Sequence, residues 1–264
     1  RQEGVDEGDT AKTDGTYLYV LKDKSDQIAI IDTRDNRMKQ TATITVEDVS
    51  EIQEMYLDIE RNQLIAVCDG YVGGKWNDDD YGYGQRANTT AVTYDISDRE
   101  NPKEVGRVSQ SGYYNSSRIA DGYLYLFSDY YVTLDGITAK NPKSYIPLVN
   151  DNLIKETDIC LPSISKADMY SIITSVSLEN PNETAHSKAL LADGGNLYVS
   201  NDNIYFYENV WQYSGKDVTT IRKVSYESGK LTAGAQCKID GYINDSFSID
   251  EYDGYLRVVV TDGG

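Results

Sequence analysis

In DGYLYLFS, residues 121–128, an Asp-Gly pair is followed at once by a short apolar run that is typical of a β-strand. Asp-Gly between two apolar runs is a strong β-hairpin signal, since both residues tolerate the positive φ of a tight turn. Four more stretches begin with an Asp-Gly or an Asn-containing turn that is followed by an apolar run. They are DGTYLYVL (14–21), RNQLIAVC (61–68), DNIYFYEN (202–209) and DGYLRVVV (253–260). One structural unit therefore recurs along the chain.

Two further families of strands complete this unit. The first family is QIAIIDT (27–33), AVTYDISD (91–98), YSIITSVSL (170–178) and TTIRKVSY (219–226). The second, after a polar turn, is MKQTATITV (38–46), PKEVGRVS (102–109), AHSKALLA (185–192) and LTAGAQCKI (231–239). The order is strand A, turn, strand B, then strands C and D. Four strands with a period of about 50 residues are typical of a propeller blade.

We therefore predict one all-β domain, a β-propeller of four-stranded antiparallel blades. It has about four blades and a hairpin of a fifth, as an incomplete ring. The predicted blades are 9–47, 51–110, 115–192 and 195–240, with a partial blade at 244–264. A β-sandwich is the alternative, but it would not repeat one order of strand types in every unit. Helical periodicity is absent, which excludes βαβ folds.

The composition limits the partners. Hydrophobic residues make up 39% of the chain, which is enough for a core, and Tyr is unusually frequent at 23 residues. The formal net charge of −18 repels nucleic acid and anionic lipid. Without a run of 18 apolar residues, we expect no membrane insertion.

Catalytic and thiol motifs are sparse. The single histidine, His186, begins a predicted D strand far from any nucleophile motif, so we interpret it as a surface residue and expect no enzyme activity. The three cysteines show no CxxC spacing, which indicates neither a zinc site nor a disulfide framework. Cys68 and Cys237 fall in different blades, so we predict that they do not form a disulfide with each other.

The long connections are predicted to share one face. In a propeller the A–B and C–D turns lie on one face, and the B–C and D–A connections lie on the other. The B–C connections 69–90, 129–169 and 208–218 are long, whereas the A–B turns are tight. Long insertions on one face of a repeat protein are often its binding face. We expect Trp76 and Trp211 to lie together there.

Aromatic side chains in these connections are the candidate ligand-binding residues: Trp76, Tyr81, Tyr83, Tyr130, Tyr131, Trp211 and Tyr213, with Tyr71 and Tyr145 nearby. Exposed aromatic rings suit stacking on a carbohydrate or a protein hot spot. The alternative is that the loops pack on one another as an ordered lid.

One candidate metal site lies in the first long connection. In WNDDDYGYG, Asp78 and Asp80 are two residues apart and could offer oxygen ligands to Ca²⁺. The EF-hand spacing is absent, so a solvated acidic tip is the alternative. We predict no other cofactor.

Three segments resemble the secreted β-propeller domain family of Firmicutes and archaea: EGVDEGDTAKTDGTYLYV (3–20), VTYDISDRENPKEVGRV (92–108) and FSIDEYDGYLRVVVT (247–261). The resemblance implies a secreted protein that carries the propeller toward its C-terminus and has no established activity. The chain departs from the family at Gly8, where Ala is expected. Family members also continue beyond the equivalent of Gly264, so we expect an open arc whose last hairpin pairs outside this sequence.

These observations favour an extracellular or cell-surface binding or scaffolding module for a protein or a glycan. A structural spacer in a multidomain secreted protein is the second hypothesis. The third is an acid-based hydrolase, for which the abundant carboxylates select no particular pair.

Overall fold

A computed structural model describes residues 4–23, 25–34, 38–71, 87–132, 137, 140–161, 167–192, 195–210 and 216–262. Blade 1 contains β1 (Ala11–Thr13), β2 (Tyr17–Leu21), β3 (Gln27–Asp32) and β4 (Lys39–Thr45). Blade 2 contains β5 (Glu51–Asp58), β6 (Gln63–Tyr71), β7 (Ala87–Asp95) and β8 (Lys103–Ser111). Blade 3 contains β9 (Tyr113–Ala120), β10 (Tyr123–Tyr131), β14 (Met169–Ser177) and β15 (Thr184–Ala192).

Blade 4 contains β16 (Asn196–Val199), β17 (Asn203–Val210), β18 (Val218–Glu227) and β19 (Lys230–Asp240). A last hairpin, β20 (Ile249–Tyr252) and β21 (Tyr255–Val258), begins blade 5. Within each of the four full blades the strands A to D pair antiparallel in chain order. In the described part of the chain no strand pairing joins the last hairpin to blade 1. The prediction of an all-β propeller with an open ring is confirmed.

The B strands explain why the repeat is visible in the sequence. Successive side chains of a strand point to opposite faces, and here both faces are buried between blades. In β10, Leu124 and Leu126 pack against blade 2, while Tyr125 and Phe127 pack against blade 4. A continuous apolar run in the sequence therefore indicates a strand whose two faces are buried against the two neighbouring blades.

A tyrosine hydroxyl crosses each interface between successive blades. The four contacts are Tyr19 with Arg99 (3.2 Å), Tyr56 with Ser117 (2.9 Å), Tyr125 with the Gly229 amide (3.2 Å), and Tyr205 with Glu251 (3.1 Å). Burial raises the pKa of Tyr19 and of Tyr125 to about 12. These rings fill apolar space while their hydroxyls satisfy polar groups of the next blade, which accounts for part of the high Tyr content.

The third blade's insertion departs from the prediction. Strand β10 continues to Tyr131, so the B–C connection begins at residue 132 and not at 129. Within it, the hairpin of β11 (Leu148–Val149) and β12 (Asn152–Leu153) pairs with β8, and β13 (Ile159–Cys160) pairs parallel with β15. The described part of the insertion thus covers the outer edges of blades 2 and 3. Covering exposed edges prevents unwanted strand pairing.

The polar N-terminal segment has a role that its composition does not predict. Residues 4–9, here called the strap, cross the inner strands of the arc. Asp9 bridges to Met55 of β5, and Asp6 bridges to Ile119 of β9. Val5 is buried in the apolar cluster between blades 3 and 4. The strap therefore ties three blades together on their inner side.

Candidate ligand-binding face

The loop face, formed by the B–C and D–A connections, carries the predicted ligand-binding residues. Seven of the residues that we predicted for ligand or calcium binding lie outside the described residues: Trp76, Asp78, Asp80, Tyr81, Tyr83, Trp211 and Tyr213. The expected proximity of the two tryptophans and the calcium site therefore stay predictions. Two predicted residues, Tyr130 and Tyr131, are described.

Tyr130 is not a loop residue. It lies in β10 with only 2% of its surface exposed, and its ring packs 6.3 Å from the ring of Tyr170 in the cluster between blades 2 and 3. The prediction that it binds a ligand on an exposed loop is wrong, because the strand extends three residues beyond its apolar run, to Tyr131. Tyr145 is half-buried beside the same blades.

Tyr131 and Tyr113 form an aromatic pair on the loop face. Tyr131 ends β10 and is 48% exposed. Its ring centre is 6.5 Å from that of Tyr113, which begins β9. Neither ring belongs to an apolar cluster between blades. Both rings project from strand ends, and their planes are inclined at 58° to each other.

Polar side chains under the loop face fix one blade to the next. The B strands of blades 2, 3 and 4 each carry an acid or amide at their seventh position: Asp69, Asp129 and Asn209. Asp69 Oδ1 accepts a hydrogen bond from the Tyr114 amide at 2.8 Å. Asn209 accepts from the Ile243 amide at 3.1 Å and donates to the Ile243 carbonyl at 2.8 Å. The sequence contains this repeat, but strand patterning alone did not reveal it.

Asp129 is one of the two carboxylates in this repeat. It accepts from Asn115 Nδ2 at 2.6 Å and from Ser171 Oγ at 3.0 Å. Asn115 also donates to the carbonyl of Gly195, where blade 4 begins, at 2.8 Å. Burial raises the pKa of Asp129, and the two hydrogen bonds only partly oppose it. These hydrogen bonds fix the strands of blade 3 relative to each other and to the start of blade 4 beneath the loop face.

A groove lies on the inner side of blades 3 to 5. Its volume is about 500 Å³, within the range of ligand sites. It is lined by Val5 and Glu7 of the strap, Arg118 of β9, residues 197–199 of β16, and residues 246, 247, 249 and 250 before and within β20. The strap thus forms one wall of a central groove.

Phe247 stands beside this groove and is 97% exposed. It lies in the D–A connection that leads into blade 5, which places it on the loop face. Asp245 Oδ1 accepts from the Phe247 amide at 2.9 Å and caps a 3₁₀ turn, Ser246–Ser248. The Asp-x-x-Ser pattern of residues 245–248 is a capping signal that could have indicated this rigid turn from sequence.

His186 has a structural position. Its Nδ1 accepts from the Leu231 amide of blade 4 at 2.9 Å, and its Nε2 lies 3.1 Å from Asp158 Oδ1 in the insertion. The ring is half-buried between three segments, so its interpretation as a surface residue is wrong in this respect. Cys68 is buried, Cys237 is exposed, and the three cysteines are free.

Two further observations concern the described ranges alone. No group of three His, Cys, Asp or Glu side chains there converges to hold a metal ion. The helical segments among these residues are too short and too polar to cross a membrane.

Fold and site together define an open-arc β-propeller with a loop face and a central groove. The chain belongs to the β-propeller domain family, whose model, described as "Beta propeller domain", matches residues 1–264. No protein of curated function matches the sequence.

Two solved structures are similar to the chain. The WD40 domain of Toxoplasma gondii coronin aligns at 7% identity with a TM-score of 0.40, over 86% of this chain and 44% of that one. A functionally unknown protein from Desulfotomaculum acetoxidans DSM 771 aligns at 12% identity with a TM-score of 0.30, over 91% of this chain and 73% of that one. The chain therefore spans less than half of the coronin domain.

Proposed function

We propose that this chain is an extracellular, non-catalytic binding module that holds a partner protein against its loop face. The observation that carries the proposal is the Tyr113–Tyr131 aromatic pair at the loop face, in which Tyr131 is 48% exposed. Tyr is enriched at protein interfaces because its ring offers large contact area with little entropy loss. The extracellular setting rests on the family resemblance of the three quoted segments.

The rigidity of the frame supports the same function. Successive blades are joined by apolar clusters, by tyrosine hydroxyls and by the side chains of Asp69, Asn115 and Asn209. A rigid scaffold that presents variable connections on one face is the usual arrangement of a binding protein. The described part of the insertion lies on the outer rim, so it leaves the loop face available to the B–C ends.

The experiment compares two faces of the same molecule. Proteins from culture supernatant that are retained by the chain would be identified, and the dissociation constant of each would be measured for three proteins. These are the wild type, the loop-face variant Tyr113→Ser/Tyr131→Ser, and the control Tyr252→Ser/Tyr255→Ser. The control rings are 65% and 74% exposed and flank the A–B turn on the opposite face.

We expect the loop-face variant to bind a partner at least tenfold more weakly and the control to bind normally. A glycan array that shows binding with the same dependence on Tyr131 would replace the protein partner with a carbohydrate. Equal binding by all three proteins would contradict the proposal and favour a spacer domain. Hydrolysis of a glycoside by the wild type would contradict its non-catalytic character.

A further inference from the structure

His186 joins three segments at the outer rim of blades 3 and 4. It lies in β15, the outer strand of blade 3. Its Nδ1 accepts from the Leu231 amide of β19, the outer strand of blade 4, at 2.9 Å. Its Nε2 lies 3.1 Å from Asp158 Oδ1 in the 3₁₀ turn Glu156–Asp158 of the insertion. The side chain is 26% exposed, so protons from solvent reach the ring.

These contacts fix the protonation state of the ring. A ring nitrogen that accepts from a main-chain N–H carries no proton, so the proton of the neutral ring is on Nε2 and is donated to Asp158. A second proton would have to go to Nδ1, where it would face the Leu231 N–H, donor against donor. Protonation of His186 and its hydrogen bond from Leu231 therefore exclude each other.

Asp158 favours the protonated ring. Its Oδ1 also accepts from Lys188 Nζ at 3.1 Å. Burial opposes the ionisation of Asp158, but the hydrogen bonds from Lys188 and His186 outweigh burial and lower its pKa. The carboxylate therefore stays charged between pH 5 and pH 8, where histidine ordinarily titrates, and it attracts an imidazolium. Protonation thus strengthens the contact with the insertion while it removes the contact with blade 4.

The surroundings of His186 add no second group of this kind. It is the sole histidine of the chain, and β14, which pairs with β15, carries no charged residue. Besides Asp158 and Lys188, the titratable groups of the described segments around the ring are Asp151, Lys155, Glu156, Cys160, Tyr170, Glu183, Lys230, Cys237, Lys238 and Asp240. None of these residue types has an ordinary pKa between 5 and 8.

We propose that His186 is a pH-sensitive latch between the outer strands of blades 3 and 4. The neutral ring holds the Leu231 amide and Asp158 at once, and the protonated ring keeps Asp158 and releases Leu231. Two other hydrogen bonds of this junction do not titrate in the same range: the Gly229 amide donates to Tyr125 OH at 3.2 Å, and Ser175 Oγ donates to the Gly229 carbonyl. The release is therefore confined to the outer rim. The inference is independent of ligand binding at the loop face.

The experiment follows single amides of the whole chain by NMR hydrogen exchange between pH 8 and pH 5, together with the titration of the His186 ring signals. Exchange rates would be corrected for their intrinsic pH dependence. The Gly229 amide is the internal control, because it also donates to a side chain of blade 3, but to a hydroxyl that does not titrate here. His186→Asn is the matched variant, because Asn has an oxygen in place of Nδ1 and takes up no proton in this range. Asp158→Asn removes the charge that attracts the imidazolium.

We expect the protection of the Leu231 amide to fall about tenfold from pH 8 to pH 5, as for the loss of one hydrogen bond. The midpoint of this fall should coincide with the titration of the ring, and the protection of Gly229 should not change. In His186→Asn the protection of Leu231, whatever its level, should not depend on pH. In Asp158→Asn the ring should titrate at lower pH, because the imidazolium has lost its carboxylate partner.

The latch would be overturned by a Leu231 amide that is unprotected at pH 8, or by one whose protection is the same at pH 8 and pH 5. An equal fall at Gly229, or the same fall in His186→Asn, would show a general loosening of the fold and would also overturn it. None of these readouts involves Tyr113 or Tyr131, so the latch and the proposed function can fail separately.

Discussion

Gly8 of the strap lies directly against the carboxylate of Glu54 in β5, so closely that a Cβ built on Gly8 would overlap Glu54 Cδ and Oε2. The carboxylate cannot move away freely, because Ser117 Oγ donates to it and Tyr56 OH donates to it at 3.1 Å. The absence of a Cβ at Gly8, where the family resemblance leads us to expect Ala, thus leaves room for the Glu54 carboxylate.

This relationship predicts the effect of Gly8→Ala. The new methyl group would push Glu54 from its hydroxyl partners, and we expect a loss of about 1–3 kcal/mol in the free energy of unfolding. Urea denaturation would measure it. In Gly8→Ala/Glu54→Ala the overlap is gone, so the double variant should be more stable than the sum of the two single changes implies. Strict additivity would contradict the contact.

Arg99 carries the second prediction. This residue of the blade 2 C–D turn donates to Asp14 Oδ2 at 3.1 Å and to Asn62 Oδ1 at 2.9 Å, and so joins the A–B turns of blades 1 and 2. We expect Arg99→Ala to lower the free energy of unfolding by about 1–3 kcal/mol, because it leaves a largely buried Asp14 carboxylate with fewer partners.

Arg34→Ala is the matched control for Arg99. Both guanidinium groups lie over the ring of Tyr17, at 5.5 Å for Arg34 and 5.8 Å for Arg99. Arg34, however, has 60% of its side chain exposed, and its ion pair with Asp32 lies at the surface. Surface pairs contribute about 0–1 kcal/mol. Equal effects of the two substitutions on thermal unfolding would show that Arg99 does not join the blades.

The blades could be predicted from sequence because their signals are local. Turn residues and apolar runs lie within a few positions of one another, and both faces of each B strand are buried in the same way. The segment around Arg99 resembles the sequences of the family, and in the structure Arg99 joins the A–B turns of blades 1 and 2. Tyr130 was misplaced because nothing in the sequence marks where an apolar strand becomes a loop.

The strap and the groove could not be predicted in this way. The strap pairs through main-chain atoms of Asp6 and Asp9 with strands far along the chain, and main-chain pairing leaves no side-chain pattern. The groove combines residues of the strap with residues near 118, 197 and 247, which become neighbours only in the folded arc. Phe247 gave a weak signal, since one aromatic residue in a polar turn is common.

The hydrogen bonds of Glu251 lead to a prediction of how the stability of the last hairpin depends on pH. Burial opposes its ionisation, but hydrogen bonds from Ser200 Oγ (2.5 Å), Asn203 Nδ2 (2.9 Å) and Tyr205 OH (3.1 Å) outweigh burial and lower its pKa. A lowered pKa in the folded state contributes stability above the unfolded pKa of about 4.3, and this stability is lost as pH falls through the folded value.

We therefore expect amide exchange in β20 and β21 to accelerate as the pH falls below about 4, after correction for the intrinsic pH dependence of exchange. Glu251→Gln should be less stable at pH 7, because its amide group cannot accept from all three donors, and it should lack this acid-dependent step. Glu60→Gln, an exposed change in the blade 2 A–B turn, is the control. An acid step that persists in Glu251→Gln would contradict the assignment.

For Asp129 we predict that the free energy of unfolding depends on pH in the opposite direction. Burial raises its pKa in the folded state, so its contribution to stability is fully present below the unfolded pKa of about 3.9 and is lost as pH rises through the folded value. Asn at this position stays neutral at every pH, and its oxygen still accepts from Asn115 Nδ2. The free energy of unfolding of Asp129→Asn, relative to the wild type, should therefore rise between pH 3 and pH 7.

Asp98→Asn is the matched control for Asp129→Asn. Hydrogen bonds from Asn101 and from the Glu100 amide lower the pKa of the exposed Asp98 carboxyl, so the stability of Asp98→Asn relative to the wild type should fall over the same pH interval. Urea denaturation at five pH values would measure both slopes, and slopes of the same sign would show that the Asp129 carboxylate is not held in a buried site.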